Sequence, residues 1–376
     1  MSKVNKLLLH PTNNNTLLAA TSTGVYRTIN GGTDWTSESD FSFIDLEYKP
    51  GDFNTLYGSQ DGGIYTSTDG GKNWIASYQS TGGRIELAVS PNESTWVYAI
   101  VTDSDGGLGT IQKSIDSGST FDEVFSGSTT NLLNWDVNST ETGGQGWYDL
   151  SLAASIADAN VLFVGGINTW RSTDGGLNWE LNSHWSGQGE VPAIHADKHN
   201  LVFRENGDLF ECNDGGIYAS DDNGTNWYDL SNGLVISQIY KLGVSVLNED
   251  ETITGLQDNG TKLRFNDVWK DVNGGDGMEC IIDYTDNNIQ YGTYVNGEIH
   301  RTTDQWLTVN KIITPKDENN KVISGAWVTP YIIDPVDHKT LYAGYGDVWK
   351  TTDQGDTWTK ISDIATTDNI RVMAIA

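Results

Sequence analysis

The chain has 376 residues, more than twice a typical domain, so two domains or one large repetitive domain are both open. It carries 51 Asp+Glu against 22 Lys+Arg, a formal charge of −29. That balance argues against nucleic acid, whose binding needs cations to displace condensed counterions, and against an anionic membrane surface. With 42 Gly, 14 Trp and 16 Tyr the chain is too aromatic for a disordered acidic polymer. No run approaches the roughly 20 apolar residues of a membrane span, so no membrane insertion is expected. The start, M-S-K-V-N-K, has no apolar signal core. Cys212 and Cys280 cannot make a disulfide framework and are expected as free thiols.

The chain repeats. A phrase S/T-x-D-x-G-x-x-W, called the box below, reads T-I-N-G-G-T-D-W at 28–35, S-T-D-G-G-K-N-W at 67–74 and S-I-D-S-G-S-T-F at 114–121. It returns as S-T-D-G-G-L-N-W at 172–179, S-D-D-N-G-T-N-W at 220–227, a shortened T-T-D-Q-W ending at Trp306, and T-T-D-Q-G-D-T-W at 351–358. The one long interval, between 220 and 302, holds strand-like sequence at 239–272 with the box decayed to N-D-V-W, which makes eight units.

Each unit opens on an apolar run, in chain order at 6–10, 44–49, 85–90, 148–154, 193–197, 240–246, 278–283 and 331–334. A turn rich in Pro, Asn and Asp leads to a second run, a Gly-rich turn to a third, and the box to a fourth. Short runs rich in Val, Ile, Tyr and Trp between such turns are strands, and four of them per period of about 40–50 residues predict an all-β protein, a β-propeller of four-stranded antiparallel blades. No apolar period of 3.6 persists, so helix is nearly absent. No linker divides 1–376, which reads as one domain. The run 369–376 reads as the first strand of a further unit or a strand that closes a ring.

The box has a mechanical reading: Asp69, Asp116, Asp174, Asp222, Asp304 and Asp353 accept N–H bonds of their own turns, the glycines take positive φ, and the Trp packs between sheets. A calcium or substrate site at every box is the competing reading. With boxes on one face, the second-to-third turns and the inter-blade connections share the other, which groups Asp61, Asp214, Gln257, Asp258 and Asp276 with Trp147, Trp170 and Trp185. Carboxylates, amides and exposed aromatics on Gly-shaped loops suit a sugar; ordinary D-G and N-G turns with aromatic wedges are the alternative.

His195, Asp197 and His199 alternate along the run opening the fifth unit, where i, i+2 and i+4 share a strand face. They are the candidate ligands of a divalent ion, Ca²⁺ or Zn²⁺, or else a polar plug. No other cofactor is called for. Nucleophile motifs such as G-x-S-x-G, C-x-x-C and H-E-x-x-H are missing. Glycoside hydrolysis needs only two carboxylates, for which Asp258 and Asp276 are the pair to test. Arg27, Arg171 and Arg301 precede boxes and are read as structural rather than as a clamp on an acidic sugar.

The boxes resemble the Asp-box (BNR) repeats of sialidases, of twin-propeller xyloglucan-hydrolysing glycosidases and of sortilin-type receptors. Longer phrases are similar to large secreted propeller proteins of Bacteroidetes: G-G-Q-G-W-Y-D-L-S-L-A at 143–153, V-G-G-I-N-T-W-R-S-T-D-G-G at 164–176, H-A-D-K-H at 195–199, N-D-G-G-I-Y at 213–218, G-L-Q-D-N-G-T at 255–261 and G-G-D-G-M-E-C-I-I-D-Y at 274–284. The resemblance implies an extracellular or cell-surface location and export by type IX secretion, although this chain carries neither export signal nor sorting domain and reads as an excised propeller. The expectation is a monomeric, noncatalytic module that binds polysaccharide or protein, with a glycoside hydrolase or a spacer in a large adhesin as alternatives.

Overall fold

The computed structural model describes residues 3–138, 140–234, 237–308, 311–364 and 368–375. Their strands form eight four-stranded sheets, each an antiparallel meander in sequence order, at residues 4–39, 45–79, 85–126, 151–183, 198–229, 239–273, 280–312 and 331–360. Among the described residues there is no α-helix, only three short 3-10 turns. These are the blades of an all-β propeller, numbered 1 to 8 here. The chain divides into two compact units, Met1–Leu234 with blades 1–5 and Val235–Ala376 with blades 6–8.

Within each unit the core is a set of apolar layers, one between each pair of neighbouring blades. Leu18, Val25, Leu46 and Leu56 fill the layer between blades 1 and 2. Tyr98, Ile111, Leu162 and Trp170 belong to the layer between blades 3 and 4, and Ile253, Leu263, Cys280 and Ile282 to that between blades 6 and 7. Middle strands are therefore apolar on both faces, as in Val97–Thr102 and Leu162–Gly165, where every residue is buried. Fourth strands are largely solvated, as in Thr36–Ser39 and Ile75–Gln79. In unit 1 the first strand of each blade lies beside that of the next.

The box turns close each blade between its third and fourth strands. At residues 172–179 the buried Ser172 hydroxyl accepts the Gly176 N–H (3.0 Å) and donates to Asp174 Oδ1 (2.9 Å), which accepts the N–H of Leu177 and Asn178. Gly176 takes φ 90°, and its carbonyl receives the Trp179 indole N–H at 3.0 Å. The same bonds recur around Asp69, and around Asp116, Asp222, Asp304 and Asp353 the carboxylate accepts backbone N–H groups in the same way. Side chains of one blade also reach the box of the next. Arg27 donates to the Gly70 carbonyl, Thr66 to Gly118 (3.0 Å), Asn182 to Gly224 (2.9 Å) and, in unit 2, Arg301 to Gln354 (2.6 Å). Arg171 meets Glu180 at 3.7 Å on its own blade.

Two strand expectations change. The first strand of blade 5 is Lys198–Phe203, not 193–197, because Asp197 takes φ 66° and residues 193–194 are tied back to His184. The terminal run forms no strand over 369–375; the Ile370 N–H reaches the Tyr345 carbonyl at 2.8 Å, and Ala376 lies outside the described residues. Cys212 and Cys280 are both free thiols, and burial raises each above the usual thiol range.

Candidate functional site

A cavity of about 1120 Å³ lies in unit 1, walled by first strands of its blades. Alternation on those strands turns charged side chains inward. Lys6 of blade 1 reaches Asp45 (2.7 Å) and Glu47 (3.1 Å) of blade 2, and Arg84 pairs with Glu86 of blade 3 at 2.7 Å. Asp45 is buried and also accepts the Leu46 and Leu87 N–H groups, which joins blades 2 and 3. Arg84 donates onward to the Tyr148 carbonyl at 3.0 Å.

Burial dominates the acids of this wall. It drives Glu86 up to about 8, with the Asp45 charge adding to it and Arg84 offsetting only part. It drives Glu47 up to about 7 against the pull of Lys6. Burial opposes the Lys6 ammonium, but the Asp45 and Glu47 charges outweigh it and hold the group well above its usual range.

The Gly-rich connection into blade 4 brings Trp147 and Tyr148 to the lining, together with Asp61, Asp103 and His199. Trp147 is 71% exposed. The Tyr148 hydroxyl donates to Asp214 Oδ2 (2.7 Å), and His199 Nε2 meets Asp214 Oδ1 at 2.8 Å, a bond that raises the imidazole above its usual range. Behind them the Gln145 amide donates to Asp149 and to Asp197. Asp149 is buried, which with the Asp197 charge lifts it to about 8.

Within unit 1 the residues singled out from sequence fall into different surroundings. Trp147 and Asp61 share the lining of the cavity, and Asp214 is bonded to its Tyr148. Trp170 is core, 4% exposed on the strand Thr169–Ser172, and offers no stacking face. Trp185 lines a second, smaller cleft of unit 1. His195, Asp197 and His199 are not aligned on one strand, because the left-handed turn at Asp197 breaks the alternation; His195 Nδ1 meets the Ala196 carbonyl and His199 turns to Asp214. In unit 2, Asp276 spends one oxygen on the Asp258 N–H (2.8 Å), and Gln257 accepts the Tyr240 hydroxyl at 2.8 Å.

Sequence reasoning missed Lys6, Asp45, Glu47, Arg84, Glu86 and Tyr148. The signal was there for the strand residues: a charge at every second position of a blade's first strand, as in D-L-E at 45–47, turns to the cavity of unit 1.

Blades and cavity place the protein in the β-propeller class. No protein-family model matches the chain, and no curated protein does. Among solved structures it is similar to a GH74 enzyme of Niastella koreensis, 14% identical over 98% of this chain and 67% of that one, with a TM-score of 0.46. It is similar also to an ancestral GH74 enzyme (16%, 95% and 54%, TM-score 0.49) and to YCF48 from Cyanidioschyzon merolae (12%, 82% and 94%, TM-score 0.36). The chain thus spans about half the length of the ancestral GH74 enzyme. Likenesses this distant carry nothing about chemistry, and the class rests on the blades themselves.

Proposed function

We propose that the chain is a noncatalytic recognition module of the Asp-box propeller type, acting outside the cell or at its surface, and that unit 1 holds a neutral carbohydrate against Trp147. The observation that carries this is one exposed indole, 71% accessible, on the lining of a polar cavity of about 1120 Å³. An indole face takes the apolar face of a pyranose while hydroxyls bond to carboxylates and phenols beside it. The formal charge of −29 disfavours an acidic sugar at long range. A glycan array followed by calorimetry tests the reading, with xyloglucan among the probes because the box resemblance reaches xyloglucan-hydrolysing enzymes. Trp147→Ala should weaken the best ligand at least about tenfold, as truncating a central aromatic does. Unchanged affinity rejects the site, and a protein ligand or a spacer role is then the reading left.

A hydrolase reading is favoured by a different observation: Glu86 and Glu47 keep raised carboxyls at the cavity near neutral pH, as a general acid requires. Release of reducing sugar, lost in Glu86→Gln, would establish it; release lost instead in Asp258→Asn or Asp276→Asn would move the chemistry to unit 2. A blank across polysaccharides retires both.

A further inference from the structure

A second cleft of unit 1, about 470 Å³, is built where the connection between blades 3 and 4 meets the loop after the last strand of blade 4. Its walls are two indoles, Trp135 (51% exposed) and Trp185 (45% exposed), with ring centroids 6.2 Å apart and planes at 86°. Asp136 and Glu141 join the lining, and among the described residues that line it none is Lys or Arg.

The corner is held from beneath by buried groups. Asn168, wholly buried, donates from Nδ2 to the carbonyls of Asn134 (3.1 Å) and Trp135 (3.3 Å) and accepts the Trp185 N–H on Oδ1 (3.2 Å). His184, also buried, donates from Nε2 to the Trp135 carbonyl (3.1 Å) and accepts the Ser186 N–H on Nδ1 (3.1 Å). A carbonyl only accepts and a backbone N–H only donates, so these two bonds assign the neutral Nε2–H tautomer. Two side chains therefore tie both tryptophan-bearing segments to each other, so their backbones are positioned before any ligand arrives.

We propose that this cleft binds a quaternary ammonium group. Perpendicular, half-exposed indoles offer a compact cation a ring face, where the ring quadrupole attracts positive charge. The carboxylates of Asp136 and Glu141 in the lining add to that attraction, and a formal charge of −29 favours cations at long range. A pyranose is served worse, because it stacks on a flat platform rather than in a corner. The inference is independent of the carbohydrate reading, which concerns the other cavity.

The test uses the full chain, with choline and its neutral carbon isostere 3,3-dimethylbutan-1-ol, read by calorimetry and by saturation transfer to the methyl protons. Choline should bind saturably in the millimolar range, as for two partly exposed indole walls, and the isostere at least about tenfold more weakly. Trp185→Ala and Trp135→Ala should each weaken choline about tenfold, while Trp147→Ala should leave it unchanged. Glu141→Gln changes only an exposed side chain; it should weaken choline a few-fold and leave the isostere as it was, which covers the case in which an indole variant fails to fold. A trimethyl-lysine peptide and phosphatidylcholine vesicles, run beside free choline, assign the source of the ammonium by which binds tightest. Equal binding of choline and isostere, choline affinity that survives both Trp variants, or no choline binding up to about 10 mM overturns the proposal.

Discussion

Unit 1 treats its acids in two opposite ways. Asp69 and Asp116 in the box turns are lowered to about 2, first because backbone N–H groups of their own turns and then side chains of Asn73 and Thr120 bond the charged form. Glu47 and Glu86 in the cavity wall are raised to about 7 and 8, because burial outweighs the cations beside them. The box acids have their charge stabilised and their hydrogen-bonding capacity used up by local backbone. The wall acids lie beside cations instead, Glu47 beside Lys6 of the neighbouring blade and Glu86 beside Arg84 two residues before it, and are poised to exchange a proton near neutral pH. An acid spent on its own turn is architecture; an acid lifted by its surroundings toward neutral pH is where chemistry or recognition can enter.

The largest test of this division uses two tryptophans. Trp170 is packed among Ile111, Leu133 and Val164 in the layer between blades 3 and 4, so Trp170→Ala should cost about 3–5 kcal/mol and lower the thermal midpoint accordingly. Trp147→Ala, at an exposed position, should stay within about 0.5 kcal/mol. Equal losses in the two variants, measured by denaturant unfolding, would break the distinction between core and lining.

The wall acids predict an unusual pH dependence. A carboxyl raised on folding binds its proton more tightly in the native state, so its stabilisation is full below the unfolded value near 4.5 and is lost as pH rises toward the folded value, about 8 for Glu86. Across that window stability should fall by up to about 1.4 kcal/mol per pH unit for each such group, and Glu86→Gln should flatten the slope. The box acids act with the opposite sign: lowered values make their contribution present above about pH 4 and lost as pH falls toward 2. A wild-type midpoint that rises from pH 5 to 8, or one that Glu86→Gln leaves unaltered, contradicts the assignment.

Much of the fold was legible because the box is local chemistry repeated. Hydroxyl, carboxylate and glycine act within eight consecutive residues, so eight readable or decayed copies translate into eight blades. Position 197 failed because alternation of His and Asp imitates a strand, whereas the backbone at Asp197 turns left-handed. Trp170 failed because G-G-I-N-T-W reads as an aromatic on a turn, and only packing between blades buries it. Trp135 was passed over because it lies on the long connection between blades 3 and 4, outside the repeated strands and boxes. Glu47 and Glu86 were hidden in runs read for their apolar members alone.

The smallest effect concerns the box itself. Ser172 is buried, and its hydroxyl is the acceptor for the Gly176 N–H while it donates to Asp174. Ser172→Ala keeps the backbone and removes the acceptor, leaving a buried N–H unpaired at about 1–3 kcal/mol. Ser172→Thr restores the hydroxyl; the boxes at Thr302 and Thr351 already use threonine in this place, with the Trp306 N–H donating to Thr302 and the Gly355 N–H to Thr351, each at 2.9 Å. The threonine variant should therefore recover most of the loss in a denaturant titration. If alanine and threonine were equally destabilising, size rather than the hydroxyl would be what the site selects, and the turn would be held by its carboxylate alone.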